Sequence, residues 1–313
     1  MTQIPFDAQS TAAEVLHGVR LDGRRAVVTG GGGGIGRETA RVLAAAGADV
    51  VLAVRDRASG DDVAGALSAA TGGSVRAEVL DLADLGSVDA FVARWSGPLH
   101  VLVNNAGIMA TPLLRTAEGW ELQLATNHLG HLALATGLHP ALVAAGRSRV
   151  VAVSSVGHVN GDVDLDDLMF ERRPYDPWAA YSQSKTANVL FAVEAARRWA
   201  GDGIDVNALN PGRIAATGLG RHRTAPPASF DPAGATGVSV KDVAQGAATS
   251  VLLAASPLVE GVTGEYFEDC QVAPPYRPGV RRGVAAYAKD PEHAALTWDL
   301  SCRLLAQARR TRD

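Results

Sequence analysis

Two cysteines, Cys270 and Cys302, are all that 313 residues contain, and they lie far apart. That scarcity excludes a disulfide framework and any CxxC metal or redox pair. A reducing cytoplasm is the simplest setting for such a chain. Long apolar runs are also missing. No stretch reaches the ~18 consecutive apolar residues that a spanning helix needs, so no membrane partner is expected. Residues 1–23 have no cationic front leading into an apolar core and do not read as a secretory signal. Neither charge dominates: 29 Lys plus Arg against 33 Asp plus Glu leave a net −4. A nucleic-acid partner, which calls for a strongly basic face, has no support in that balance. There is no fixed repeat with a period of about 20–50 residues, and no clean Pro/Gly/Ser linker between two halves.

What is present is alternation. Apolar residues make up 47% of the chain, enough for a substantial core. Short β-branched runs occur at 26–29, 50–54, 74–80, 99–103, 149–153 and 204–208, with a weaker one at 264–267. Most are apolar nearly throughout, as strands covered on both faces are. Between them, residues 35–46, 61–70, 85–95, 118–134, 179–200 and 241–254 carry helical patterns. Strands alternating with helices predict an α/β fold: a doubly wound parallel sheet of the Rossmann type, with right-handed crossovers. One domain is expected over 23–313, preceded by an extension over 1–22. The loop 213–238, with Pro226, Pro227 and Pro232, exceeds the ~15 residues usual inside a compact domain. It reads as a substrate lid. A Pro-containing stretch, 270–290, leads into a closing helix over 291–308.

The only low-complexity feature is the glycine tract Gly30–Gly34, within the run Thr-Gly-Gly-Gly-Gly-Gly-Ile-Gly over 29–36. It follows a buried strand and opens a helix. Glycines there let the backbone approach a pyrophosphate, and the helix N-terminus offers free N–H groups. A merely flexible loop is the plain alternative. At the end of the second strand, a chain that binds NAD usually carries an acidic residue for the ribose 2′-hydroxyl. Here that position is Val54, followed by Arg55, whose fork of donors suits a 2′-phosphate. NADP is therefore expected, while Asp56 as the ribose acceptor would favour NAD.

Tyr181 and Lys185 stand four apart in a helical stretch, so they share a face. A nearby ammonium favours the phenolate and would pull the tyrosine toward neutrality, fitting it to exchange a proton with a substrate oxygen. The run Arg149–Val153 ends in Ser154 and Ser155, at the strand end where functional residues of open α/β sheets gather. A serine there could orient that oxygen, or simply cap the strand.

Further segments fall into order around these. Asn104-Asn105-Ala106-Gly107 follows the fourth strand, Asn127 lies in Thr-Asn-His-Leu-Gly-His, and Asn210-Pro211-Gly212 follows the sixth strand. Together with the glycine run and the Ser…YxxxK set, this order resembles the short-chain dehydrogenase/reductase family from about residue 22 to the end. Ala53-Val54-Arg55-Asp56, Asn127-His128-Leu129-Gly130-His131 and the 26-residue gap from Ser155 to Tyr181 are similar to the branch of retinol dehydrogenases and WW-domain oxidoreductases. Residues 264–270 resemble bacterial members of that branch. Many retinol dehydrogenases carry an N-terminal membrane anchor that is not evident here, and a retinoid substrate is not favoured.

The resemblance implies a catalytic set of Asn127, Ser155, Tyr181 and Lys185. It implies that Gly30, Gly34 and Gly36, with Ile35, meet the pyrophosphate, and that Asp81 with Leu82 meets the adenine. Asn104 and Gly107, with Ala106, would lie along the ribose, where Lys185 also bonds. Pro211 and Gly212, with Ile214, would meet the nicotinamide, and Asn127 would support a water chain to Lys185. One departure stands out. The family's threonine or serine five residues after the proline is Ala216 here, with Thr217 one later. Either the loop shifts by one residue or a carboxamide contact is missing. Relatives often pair through a four-helix interface, which implies a homodimer or homotetramer.

The expected activity interconverts a ketone or aldehyde and an alcohol on a small, largely apolar molecule. A non-catalytic dinucleotide-binding regulator, or an epimerase or dehydratase on the same fold, are the alternatives. No metal is expected: His128, His131 and His158 show no third ligand at a fixed spacing. Arg221-His222-Arg223 reads as solvated or as an anion contact. Met109, Phe170, Tyr175 and Trp178 read equally as packing or as a hydrophobic substrate wall.

Overall fold

Seven runs of β-branched residues become parallel strands: β1 Arg25–Thr29, β2 Asp49–Val54, β3 Val75–Val79, β4 Val101–Asn104, β5 Ser148–Val153, β6 Ile204–Asn210 and β7 Tyr266–Glu268. An eighth, β8 Gln271–Val272, adds antiparallel to β7. The computed structural model describes residues 4–219, 226–228, 230–231 and 236–312. The sheet order is β3-β2-β1-β4-β5-β6-β7-β8. Side chains alternate across each strand, and both sets are apolar. Val27, Leu102 and Val150 face one layer, and Val28, Val103 and Val151 face the other. Two buried faces explain why these strands show no polar alternation.

The helices α2 Gly34–Ala45, α3 Arg57–Thr71 and α9 Val243–Ala255 pack on one face of the sheet. On the other lie α4 Leu85–Arg94, α6 Gly130–Gly137, α8 Pro177–Arg198 and α10 Pro291–Arg312. Strand order reverses between β1 and β4, and a ligand crevice belongs at the carboxyl ends of the strands there.

Three places depart from expectation. The extension over 1–22 is built into the domain: Ala12 and Val15 of α1 Ala12–Val15 join the apolar cluster of α9, and Gln271 Nε2 donates to the carbonyls of Ile4 (3.1 Å) and Phe6 (2.5 Å). The helix expected over 118–134 is broken. Glu121 caps a new start, accepting from the backbone of Gln123 (3.0 Å) and Leu124 (2.7 Å). After the single turn of α5 Leu122–Leu124 comes a π-helical turn, Ala125–Leu129, before α6 begins. Such widened turns collect at functional positions, and this one holds Asn127. A short helix, α7 His139–Ala144, starts on Pro140, which suits a first turn.

The closing helix runs on to Arg312 and lies along α8. Trp298 stacks on Phe191 at 5.8 Å and meets Trp199 edge-on at 5.8 Å. His128 Nε2 shares a hydrogen with Ser301 Oγ at 3.0 Å, and Arg198 pairs with Asp299 at 2.7 Å. The outer side of α8 is thus covered by the chain's own helix. No helix among the described residues is long and apolar enough to cross a membrane. Trp298→Ala should lose about 3–5 kcal/mol of stability, the usual cost of emptying a buried aromatic site. A shift of the urea midpoint worth under about 1 kcal/mol would show that α10 is not part of the cooperative core.

Candidate active site

A cleft of about 890 Å³ opens along the carboxyl ends of the strands, a size suited to a cofactor-sized ligand. The glycine run forms one wall. Gly33 caps α2 in extended backbone and supplies no side-chain cap, so the first N–H groups of the helix face the cleft without a protein partner. Gly30, Gly34, Ile35 and Gly36 all line this wall. A dipole end with free donors fits a pyrophosphate.

Arg55, Asp81 and Leu82 line the far end. Asp56 lines the cleft too, and one of its carboxylate oxygens accepts from Ser59 N at 3.2 Å and caps α3. Arg55 is exposed and makes no ion pair among the described residues. One oxygen of Asp81 holds Ala83 N at 2.9 Å, while Ser87 Oγ receives Asp81 N at 2.9 Å, fixing that turn.

The middle of the cleft is floored by Ala106 and Gly107. Asn104 does not reach it. As the last residue of β4 it is 2% exposed, and its amide group has no hydrogen-bond partner among the described residues. Asn105, which sequence reasoning passed over as a site residue, lines the cleft instead. Its Nδ2 donates to Thr29 O at 2.7 Å. Thr29 Oγ1 accepts from the backbone of Asn105 (2.8 Å) and Ala106 (2.9 Å) and contacts His131 Nε2 at 2.9 Å. His131 Nδ1 in turn lies 2.9 Å from Asn127 O. A carbonyl only accepts, so Nδ1 carries the hydrogen and Nε2 receives the one from Thr29. Burial lowers His131 to about 3, keeping it neutral.

Asn127 also stands behind the wall. Its side chain is saturated by protein: Oδ1 accepts from Ile108 N (2.9 Å), and Nδ2 donates to Ile108 O (3.0 Å) and Ser184 Oγ (2.9 Å). Gly107 runs close beside it. A Cβ there would sit 3.2 Å from Asn127 Oδ1 and 3.5 Å from Lys185 Nζ.

Ser155, Tyr181 and Lys185 meet at one end of the cleft. The two serines divide their work. Ser154 Oγ donates to Lys185 O at 2.7 Å and ties β5 to α8. Ser155 Oγ accepts from Gly157 N at 3.0 Å and turns its own hydrogen to the phenol oxygen of Tyr181. His158 Nδ1 donates to Ser155 O at 2.7 Å and its Nε2 accepts from Ala285 N at 3.1 Å; burial lowers His158 to about 4. The expected pull of Lys185 on the phenol is not what this geometry shows. Lys185 Nζ donates to Val153 O at 3.0 Å and lies 5.8 Å from the Tyr181 ring centre. Burial dominates both groups. It pushes Tyr181 up to about 12, against a smaller lowering from a hydrogen bond with Ser155, and brings Lys185 down to about 8.

The turn after β6 closes the cleft, with Pro211, Gly212 and Ile214 on its wall. Thr217, not Ala216, lines it too, and a Cβ on Gly34 would touch Thr217 Cγ2 at 3.4 Å. That placement agrees with a loop shifted by one residue.

A family model for short chain dehydrogenases matches residues 24–227. The chain belongs to the short-chain dehydrogenase family. It is 54% identical over 300 residues to a Streptomyces lividans protein named "Probable oxidoreductase", spanning 91% of this chain and 99% of that one. Human retinol dehydrogenase 12 is 38% identical over 294 residues, spanning 92% and 88%. The crystal structure of an uncharacterized protein from Mycobacterium paratuberculosis superposes with a TM-score of 0.73 at 37% identity, covering 95% of this chain and 98% of that one. A gluconate 5-dehydrogenase from Burkholderia cenocepacia J2315, solved with NADP and tartrate, gives a TM-score of 0.63 at 27% identity over 79% and 94%. This short-chain dehydrogenase is therefore an oxidoreductase that takes a nicotinamide dinucleotide, and its likeness to the retinol dehydrogenases agrees with the branch its motifs indicate.

The other residues singled out in the dehydrogenase have structural partners. Tyr175 packs edge-on to Phe170 at 5.2 Å, and its hydroxyl donates to the buried Glu121 at 3.0 Å. Neither these two nor Met109 and Trp178 line the cleft. Arg221, His222 and Arg223 lie outside the described residues.

Lys185 makes stability depend on pH. At neutral pH both folded and unfolded chains carry its charge, and only the folded one buries it. Between about 8 and 10.5 the folded state releases the proton first, so the unfolded state binds more protons and stability rises with pH. The drop from 10.5 to about 8 corresponds to about 3 kcal/mol. Lys185→Met should be more stable than the parent at neutral pH, with the gap closing toward alkaline pH. Denaturant unfolding at both ends checks this, and a constant gap would contradict it.

Proposed function

We propose that the chain is an NADP(H)-dependent enzyme that interconverts a ketone or aldehyde and an alcohol on a small, largely apolar substrate. The convergence of Ser155, Tyr181 and Lys185 at one end of a cleft that runs past α2 to Arg55 carries this reading. The nicotinamide, when bound, supplies the hydride. Ser155, paired with Tyr181 in the structure, turns its hydroxyl to the substrate oxygen. Tyr181 delivers the proton to that oxygen from Oη. A phenol pushed up to about 12 remains protonated at neutral pH, which suits it to give a proton. Lys185, anchored on Val153, holds the cofactor's ribose and places positive charge near the phenolate that remains. Asn127 acts from behind, keeping Ile108 and Ser184 in place around this end.

For the cofactor, an exposed Arg55 in the cleft next to Val54, where an acidic residue would serve a free 2′-hydroxyl, favours a 2′-phosphate. Arg55→Ala should weaken NADPH by about tenfold or more, the worth of a charge-assisted contact, and leave NADH unchanged. Equal losses for both cofactors, measured by fluorescence titration, would remove Arg55 from the 2′ site. Tyr181→Phe should abolish turnover of a panel of carbonyl compounds while NADPH still binds. Retained activity in that variant would sink the assignment.

A further inference from the structure

Phe230 touches the catalytic end. Its ring packs on Trp178 at 4.4 Å and lies 6.3 Å from the Tyr181 ring. The approach depends on Gly157, where a Cβ would come within 3.1 Å of both Phe230 Cζ and Tyr181 Cε1. What holds Phe230 there comes from the far side of the chain. Arg281, in the stretch that follows β8, is 6% exposed. Its guanidinium stands 5.2 Å over the Phe230 ring, donates to Phe230 O, and donates to Asn160 Oδ1 at 3.1 Å. Asn160 Nδ2 reaches the same carbonyl at 3.1 Å. Asp231 supplies the counter-charge, 3.9 Å from Arg281 Nε, and is itself gripped by Arg213 at 2.8 Å. Arg281 N also donates to Thr236 O at 2.7 Å, so the same residue holds the lid at a second point.

A guanidinium this deeply buried is stable only while its partners stay in place, and most of those partners belong to the lid. Arg213 adjoins the Pro211-Gly212 turn that lines the cleft. Phe230 and Asp231 are therefore pinned from two sides, by a residue next to the cofactor cleft and by one beyond β8. We propose that Arg281, lying outside the cleft, is a positioning residue that locks Phe230 against Trp178 and Tyr181, and that the Phe230 ring, held beside the cleft-lining Tyr181, selects flat, apolar carbonyl compounds. The selection rests on the carbonyl-reducing reading above; the lock does not.

A double-mutant cycle separates the two parts. Wild type, Phe230→Ala, Arg281→Ala and the double variant are assayed with NADPH on acetophenone and on butanal. Each single variant should raise KM for acetophenone relative to butanal by about tenfold or more, the range that one apolar contact contributes to discrimination, with kcat changed less. The double variant should be no worse than either single one, because both act through one contact. Arg281→Lys, which keeps the charge but not the fork, should recover only part of the loss. Losses that add, or that fall equally on both substrates, overturn the proposal. If wild type reduces neither compound, the carbonyl-reducing reading and the selection fail together. The lock is then judged by hydrogen exchange in the peptide holding Phe230 and Asp231. Faster exchange in Arg281→Ala supports it, and unchanged exchange overturns it.

Discussion

The hydroxyl of Thr29 joins three pieces of backbone that the fold brings together only at the switch point of its sheet. It receives the N–H groups of Asn105 and Ala106 and gives its own hydrogen to His131, which holds the carbonyl of Asn127. Each hydrogen in this chain has one allowed direction, because it starts at two amides and ends at a carbonyl. Thr29, His131 and Asn127 are buried, so a broken link among them would leave a polar group unsatisfied at a cost of about 1–3 kcal/mol. The glycine turn, the floor of the cleft and the π-helical turn are therefore held at fixed mutual positions. Gly107 can then run close to both Asn127 and Lys185.

Burial acts on the proposed catalytic pair, Tyr181 and Lys185, in opposite senses. It raises the phenol of Tyr181 and lowers the ammonium of Lys185, since each loses water around its charged form. The groups are adjacent, yet Lys185 is directed to the backbone of β5 rather than to the phenol. Such an arrangement keeps a proton on Tyr181 and a mobile charge beside it. His128, His131 and His158 are neutral for the same reason and serve as hydrogen-bonding spacers, each joining segments distant in sequence. His158 links Ser155 to the stretch after β8, the same stretch from which Arg281 reaches the lid.

Much of this was legible in the residues themselves. Strands buried on both faces must be apolar throughout, so β1, β2, β4, β5 and β6 announce themselves. A glycine run between strand and helix has few uses, and every expected cofactor residue except Asn104 reaches the cleft. The break at Glu121 was less visible, because the helical pattern of 118–134 continues through it. A capping carboxylate and a widened turn do not change the order of apolar residues. The sequence favours Arg55 over Asp56 as the ribose contact, and both line the cleft, Asp56 also capping α3.

The sequence by itself determined the layered α/β fold, the cleft end of each strand and the proposed trio of Ser155, Tyr181 and Lys185, because periodicity and short motifs are local properties of the chain. Tertiary structure alone decided that Ser154 is tied to the backbone of α8 while both serines line the cleft, that Thr217 rather than Ala216 lines it, and that burial outweighs Lys185 at Tyr181. It alone brought Arg281 to Phe230. Solvent exclusion and the direction of a hydrogen bond depend on what lies opposite in space, and spacing along the chain does not record that.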